Sequence, residues 1–279
     1  MVEVRASRHV EVRVTRCATR RVEGWHELEG QPTFELCLVR AGCFRYRDER
    51  GEILLDPGSG VFGAPSQPGE VCHPAPGGDL ATFVFVSAAA VAAVGSGAVD
   101  LPLGVHTAPS VDRAHWRLLA GTLRDADGAD AGEVEEQALG VFAAALAQQE
   151  PARAHARWPR TERARRRLVD DARELLVADP SVTDLVDLAA RVGPSPHHLS
   201  RLFVAQTGMG VARYRMRLRV LHALDRLRDR GVPLAEVAAD CGFADHAHMT
   251  RSLRRHLGTT PSRLRAELAE PAGQCVSQP

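Results

Sequence analysis

The sequence predicts an α+β fold in which strands fill roughly the first 87 residues and helices fill the rest, ending in an all-α unit that is written twice. Three observations carry this reading. The early residues alternate apolar and polar with a period of two, and the later ones repeat their apolar positions every three or four residues. The last third also repeats itself. Leu185, Ala189, Ala190, Val192 and Gly193 recur 49 residues on as Leu234, Ala238, Ala239, Cys241 and Gly242. Ser195, Leu199, Ser200, Arg201, Phe203 and Gly208 recur at an offset of 50 as Asp245, Met249, Thr250, Arg251, Leu253 and Gly258.

The strands come first. Val10, Val12 and Val14 alternate with Glu11, Arg13 and Thr15, and Phe34, Leu36 and Leu38 do likewise. Leu80, Thr82, Val84 and Val86 interleave with Phe83 and Phe85. Turn residues at 48–51, at Asp56-Pro57-Gly58, at Gly69 and at Gly77-Gly78 cut the chain into strands of about five residues, the rhythm of a small barrel or sandwich. Helical patterns follow at 111–126, with Trp116, Leu118 and Leu119, and at 133–149, with Leu139, Phe142 and Leu146. The stretch 151–161 contains Pro159 and little apolar periodicity, and reads as a linker.

Each repeated unit is a short helix, a tight turn and a longer second helix. Ser195 and Asp245 are good N-caps, Pro196 occupies the first helical position where its missing N–H costs nothing, and Gly208 and Gly258 supply the stops. The one extra residue of the second unit falls in its turn, where neither helix is disturbed. Leu199, Leu202 and Phe203 form one buried stripe, and Met249, Leu253 and Leu257 the other. The opposite stripes carry His197, Ser200 and Arg201 in the first unit and His246, Ala247, Thr250 and Arg251 in the second, side chains suited to base edges in a major groove. Between the units, Tyr214, Leu218, Leu221, Leu224 and Leu227 mark one helix over 211–230. Its length of about 30 Å is close to the ~34 Å between successive major grooves on one face of B-DNA.

Charge is divided in the same sense. Residues 1–150 hold 13 Arg against 21 Asp and Glu, a net of −8, and residues 151–279 hold 22 Arg against 14, a net of +8. A basic half joined to an acidic one suits a polyanion-binding module attached to one that stays off the polyanion. Arg213, Arg215, Arg217 and Arg219 on the connecting helix, and Arg254, Arg255, Arg263 and Arg265 beyond it, are candidates for phosphate contact; Arg215, Arg219, Arg254 and Arg255 lead that set. The chain has no lysine, so part of this enrichment is general composition.

From near Arg163 to near Arg265 the chain resembles the DNA-binding domain of the AraC/XylS family of bacterial transcription regulators. The specific part is Ala238-Ala239-x-Cys241-Gly242-Phe243-x-Asp245-x-x-His248-Met249-Thr250-Arg251-x-Leu253, followed by Gly258, Pro261, Leu264 and Arg265. The family usually carries aromatics at the positions of Leu253 and Leu264. The resemblance implies a cupin-like N-terminal β-barrel for sensing or dimerisation over 1–150, the linker at 151–161, and an all-α C-terminal domain over 162–270 with two helix-turn-helix motifs joined by a long helix. Residues 271–279 read as a disordered tail. The resemblance makes His197, Ser200, Arg201, His246, Ala247, Thr250 and Arg251 the base-facing set; His198 and His248 each precede a buried residue, and His248 is read as capping or packing. The partners it implies are double-stranded DNA, RNA polymerase, a small-molecule effector and a second copy of the chain in a homodimer, in a protein that more often activates than represses.

Other classes find little support. No apolar run is long enough to span a bilayer and no signal-peptide core opens the chain, so a cytoplasmic protein without a membrane partner is expected. The cysteines at 17, 37, 43, 72, 241 and 275 show no CxxC pairing and read as reduced thiols. No Ser-His-Asp, phosphate-loop or dinucleotide signature is present, and no catalytic residue, cofactor or metal is expected. The alternative is a metal-dependent cupin enzyme fused to a DNA-binding domain. Cupin enzymes hold a metal through a close His-x-His pair with a carboxylate, whereas His26, His73 and His106 are isolated here; the residual candidate is Cys72 and His73 with Cys37 or Cys43.

Overall fold

A computed structural model of the chain describes residues 3–17, 24–74, 78–94, 101–123, 131–148, 160–179, 182 and 184–267. Among these residues ten strands form two antiparallel sheets. The larger contains β1 (Glu3–Ala6), β2 (Val10–Cys17), β9 (Asp79–Val86), β4 (Phe34–Gly42), β7 (Ser59–Gly63) and β10 (Gly104–His106), in that spatial order. The smaller contains β3 (His26–Leu28), β8 (Gly69–Cys72), β5 (Phe44–Asp48) and β6 (Gly51–Leu55).

Register explains what each face does. Val12 lies opposite Val84 and Val84 opposite Leu36, so three strands put these side chains on one face, where they join Phe62, Leu118 and Phe142 in a core. The alternate positions Cys37, Val39 and Ala81 face the other way and pack with Phe44, Tyr46 and Leu55 of the smaller sheet. Strand β4 is therefore buried without interruption from Leu36 to Arg40. The closed barrel expected from the sequence is not formed: among the described residues the two sheets are open and share no ladder. Alternation fixes which residues face inward, and it leaves the closure of the sheet unspecified.

On the outer face of the larger sheet lie α1 (Ala88–Val94), α2 (Pro109–Leu123) and α3 (Ala131–Leu146), with Val91, Val111, Leu118, Val141 and Phe142 inward. Phe142 meets Phe62 edge-on with ring centroids 5.4 Å apart. Residues 151–159 of the expected linker lie outside the described residues, and helix α4 (Arg160–Ala178) already includes its last two positions. Residues 268–279, with the expected tail, and Cys275 within it, also lie outside them.

The C-terminal helices are α5 (Leu185–Val192), α6 (Pro196–Thr207), α7 (Val211–Leu227), α8 (Leu234–Asp240), α9 (His246–Leu257) and α10 (Pro261–Glu267). They close around two cores. Val169, Leu188, Leu199, Phe203 and Tyr214 make the first, and Val220, Val237, Phe243, Met249, Leu253 and Leu264 the second. Each fully buried side chain of this kind stabilises its unit by roughly 1.5–3 kcal/mol. Helix α7 is shorter than its apolar pattern suggested: it ends at Leu227, where Arg228 and Asp229 turn back onto the carbonyls of Asp225 and Arg226.

Buried charge joins the helical cores to the sheets. Arg173 of α4 makes a two-pronged contact with Asp56 at 2.8 and 2.9 Å, and Tyr214 of α7 donates its hydroxyl to the same carboxylate. Arg217, also on α7, reaches Thr107 at 2.6 Å and Asp112 at 3.3 Å, and His256 of α9 lies 2.8 Å from Asp112. Hydrogen bonds from His256 and Thr107, with the Arg217 charge, outweigh the burial of Asp112 and hold its carboxyl below the usual range. Arg40 of β4 pairs with Asp225 of α7, and Trp116 of α2 packs into the second helical core. Arg217 is thus a buried structural cation and not the phosphate contact its sequence position suggested.

Candidate nucleic-acid interface

Local chemistry fixes both helix pairs. Asp184 caps α5 by accepting from the Asp187 N–H at 2.8 Å, and Gly193 ends it at φ 104°, a left-handed conformation that favours glycine. Ser195 then opens α6, accepting from the His198 N–H, and Gly208 closes it at φ 70°. In the second pair α8 ends one position earlier relative to its repeat, and 241–245 form the turn. The added residue lets the chain bury Phe243, whose N–H bonds the Ala238 carbonyl at 2.9 Å. Asp245 caps α9 through the His248 N–H at 2.6 Å, and Gly258 stops it at φ 72°.

With Leu199, Phe203, Met249, Leu253 and Leu257 turned inward, the expected reading residues stand on the outer faces. His197 and Arg201 are exposed with Ser200 half-buried; His246, Ala247 and Arg251 are exposed with Thr250 half-buried. Among the described residues neither Arg201 nor Arg251 has an ion-pair partner, so both guanidinium forks are open to a ligand. Thr250 Oγ1 and His246 Nε2 lie 3.4 Å apart, one turn apart on α9. His248 is occupied otherwise: its ring meets Phe243 edge-on at 5.4 Å and its Nδ1 lies 3.4 Å from the Ala244 N–H.

The phosphate candidates divide. Arg254 and Arg255 are exposed in the last turn of α9, and Arg213 and Arg263 are exposed as well. Arg265 donates to the Asp229 and Val232 carbonyls, which braces the α7–α8 turn. Arg215 and Arg219 line a cleft of about 450 Å³ with Arg40 and His222, between the end of β4, α4, α7 and the turn after α8. Burial and the neighbouring Arg219 lower the Arg215 pKa, which reflects cations gathered on one wall. Sequence reasoning missed this cleft and the ionic contacts beside it; the available signal was Arg217, which sits three residues from both Tyr214 and Val220 on the buried stripe of α7.

A helix-turn-helix domain model matches residues 188–267, which hold α6, α7, α8, α9 and α10 complete. Over 88 residues the chain is 30% identical to PqrA of Proteus vulgaris, a probable transcription factor, covering 32% of this chain and 72% of that protein. The chain belongs to the AraC/XylS family. It is also 33% identical over 93 residues to the transcriptional regulator GbdR of Pseudomonas aeruginosa, a match that covers 33% of this chain but spans only 25% of GbdR's length. An AraC-type DNA-binding domain structure from Chromobacterium violaceum is 27% identical and covers 39% of this chain and 99% of its own, with a TM-score of 0.37. Among the described residues of this AraC/XylS member no helix is long and apolar enough to cross a membrane.

Proposed function

We propose that the chain is a sequence-specific transcription regulator that reads double-stranded DNA with α6 and α9 in adjacent major grooves. One observation carries the proposal: the same outward constellation, a hydroxyl followed by an unpaired arginine (Ser200-Arg201 and Thr250-Arg251), is presented by both repeated helices against an apolar inner stripe. An arginine fork matches O6 and N7 of guanine, the small hydroxyls serve several bases, and Ala247 is suited to a thymine methyl. Arg254 and Arg255 supply sequence-independent phosphate contact.

In this reading residues 1–150 form a cupin-like sensing and dimerisation domain, and residues 162–270 the DNA-binding domain. The cleft bordered by Arg40, Arg215 and Arg219 is large enough for a small molecule and touches both halves, which supports control by an effector over control by dimerisation alone. Activation through RNA polymerase in the cytoplasm is the family's usual output and is carried over as part of the proposal, and the chain is read as a regulator and not an enzyme. The test is Arg201→Ala and Arg251→Ala, measured on the selected site and on random duplex. Each is expected to cost roughly 1–3 kcal/mol on the specific site and little on random DNA. Equal losses on both would place these arginines on phosphates and overturn the assignment.

A further inference from the structure

Three strand ends meet in the N-terminal sheets. Cys17 ends β2, His73 follows β8, and Asp79 opens β9. The ladder sets Cys17 directly opposite Asp79, and Asp79 opposite Gly42 on its other side. Gly42 adopts φ +73°, and a Cβ there would come within 2.1 Å of the Gly78 carbonyl oxygen, so the backbone is drawn in tightly around the group. His73 Nε2 lies 2.6 Å from Asp79 Oδ1, with each side chain only 8% exposed. One ligand atom from each of Cys17, His73 and Asp79 lies within 4.8 Å of the other two.

We propose that Cys17, His73 and Asp79 bind a divalent transition metal of the zinc class. The donor set decides the class. A thiolate with an imidazole and a carboxylate suits zinc or cobalt, whereas calcium and magnesium take oxygen donors. Ligand atoms around a tetrahedral zinc are roughly 3–4 Å apart, so His73 and Asp79 need to part by less than about 1 Å. The Cys17 thiol loses its proton to solvent as the metal binds, and with three protein ligands a fourth position is left for water.

The thiol chosen is not the sequence neighbour. Cys72 adjoins His73 in the chain but is absent from the group, as are Cys37 and Cys43. Burial raises the Cys37 thiol pKa and pushes Cys43 up to about 12, which makes both poor sources of a thiolate. Cys17 reaches His73 through the β2–β9 ladder.

The experiment uses the full chain, stripped with a chelator and titrated with Co²⁺ and then Zn²⁺. One equivalent of Co²⁺ is expected to give ligand-field bands of a four-coordinate ion and a thiolate charge-transfer band, both displaced by Zn²⁺. The charge-transfer band is lost in Cys17→Ser and retained in Cys72→Ser. Alkylation of the wild-type protein, read by peptide mass spectrometry, gives an answer that needs no variant to fold: Zn²⁺ slows modification of Cys17 and not of Cys72. Absence of a cobalt–thiolate band, its persistence in Cys17→Ser, or protection of Cys72 in place of Cys17 would each overturn the proposal.

Discussion

Arg173→Ala tests the contact between the sheets and the helices most severely. The Arg173 side chain is 5% exposed and that of Asp56 1%, and the two meet through a bidentate pair at 2.8 and 2.9 Å. Arg173 also donates to the Leu54 carbonyl at 3.3 Å and to Asp170 at 3.2 Å. Burial alone would lower its pKa, yet Asp56 and Asp170 outweigh burial and raise it, so the charge is held by its partners. Truncation leaves the Asp56 carboxylate buried with hydroxyl donors from Tyr214 and Ser59. Removing one member of a buried pair costs about 3–5 kcal/mol, most of it the penalty of the stranded charge. Urea unfolding followed by tryptophan fluorescence is the assay, because Trp116, one of three tryptophans, is 2% exposed where α2 meets the second helical core. In a cycle of Arg173→Met, Asp56→Leu and the two together, the double variant is expected to recover most of the loss of the singles, giving a coupling above about 2 kcal/mol. A loss below about 1 kcal/mol in Arg173→Ala, or strict additivity in the cycle, would refute the account of this contact.

Other outcomes follow from the same physics. Burial raises the Glu35 pKa to about 7 from 4.5, against the opposing pull of Arg13. The folded-state value is the higher one, so this group's stabilising contribution is full below about pH 4.5 and is lost as pH rises through about 7. Glu35→Gln is therefore expected to gain up to about 3 kcal/mol at pH 8 and nothing at pH 4, checked by thermal unfolding at the two values. Arg254→Ala and Arg255→Ala are expected to weaken specific and random DNA binding equally and to reduce the logarithmic salt slope by about 1 each; an unchanged slope in a salt titration would remove them from the phosphate contacts.

The helix pairs were legible in the sequence because their determinants are local. Caps Ser195 and Asp245, stops Gly208 and Gly258, and the inner stripes all act within one turn or one helix, and the structure places them as expected. His248 was readable as a packing residue for the same reason. Contacts between the halves were not. Arg40 with Asp225, Asp56 with Arg173 and Thr107 with Arg217 are separated by 185, 117 and 110 residues, and nothing in a local pattern pairs them. The strands were found by alternation, but alternation is equally satisfied by a closed barrel and by two facing sheets, and the structure has the latter. Cys72 adjoins His73 in the chain, whereas the ladder gathers Cys17 and Asp79 beside His73 across more than sixty residues, a juxtaposition no local pattern carries.

Whether both repeated units read DNA is decided by selection of bound sequences from a random duplex library with the full chain at physiological salt. Enrichment of one site with two informative blocks about one helical turn apart, roughly 10 base pairs, is expected, with loss of one block in Arg201→Ala and of the other in Arg251→Ala. Enrichment of a single block untouched by one of these substitutions, or no enrichment by either the full chain or the segment from Thr161 onward, would contradict reading by both units.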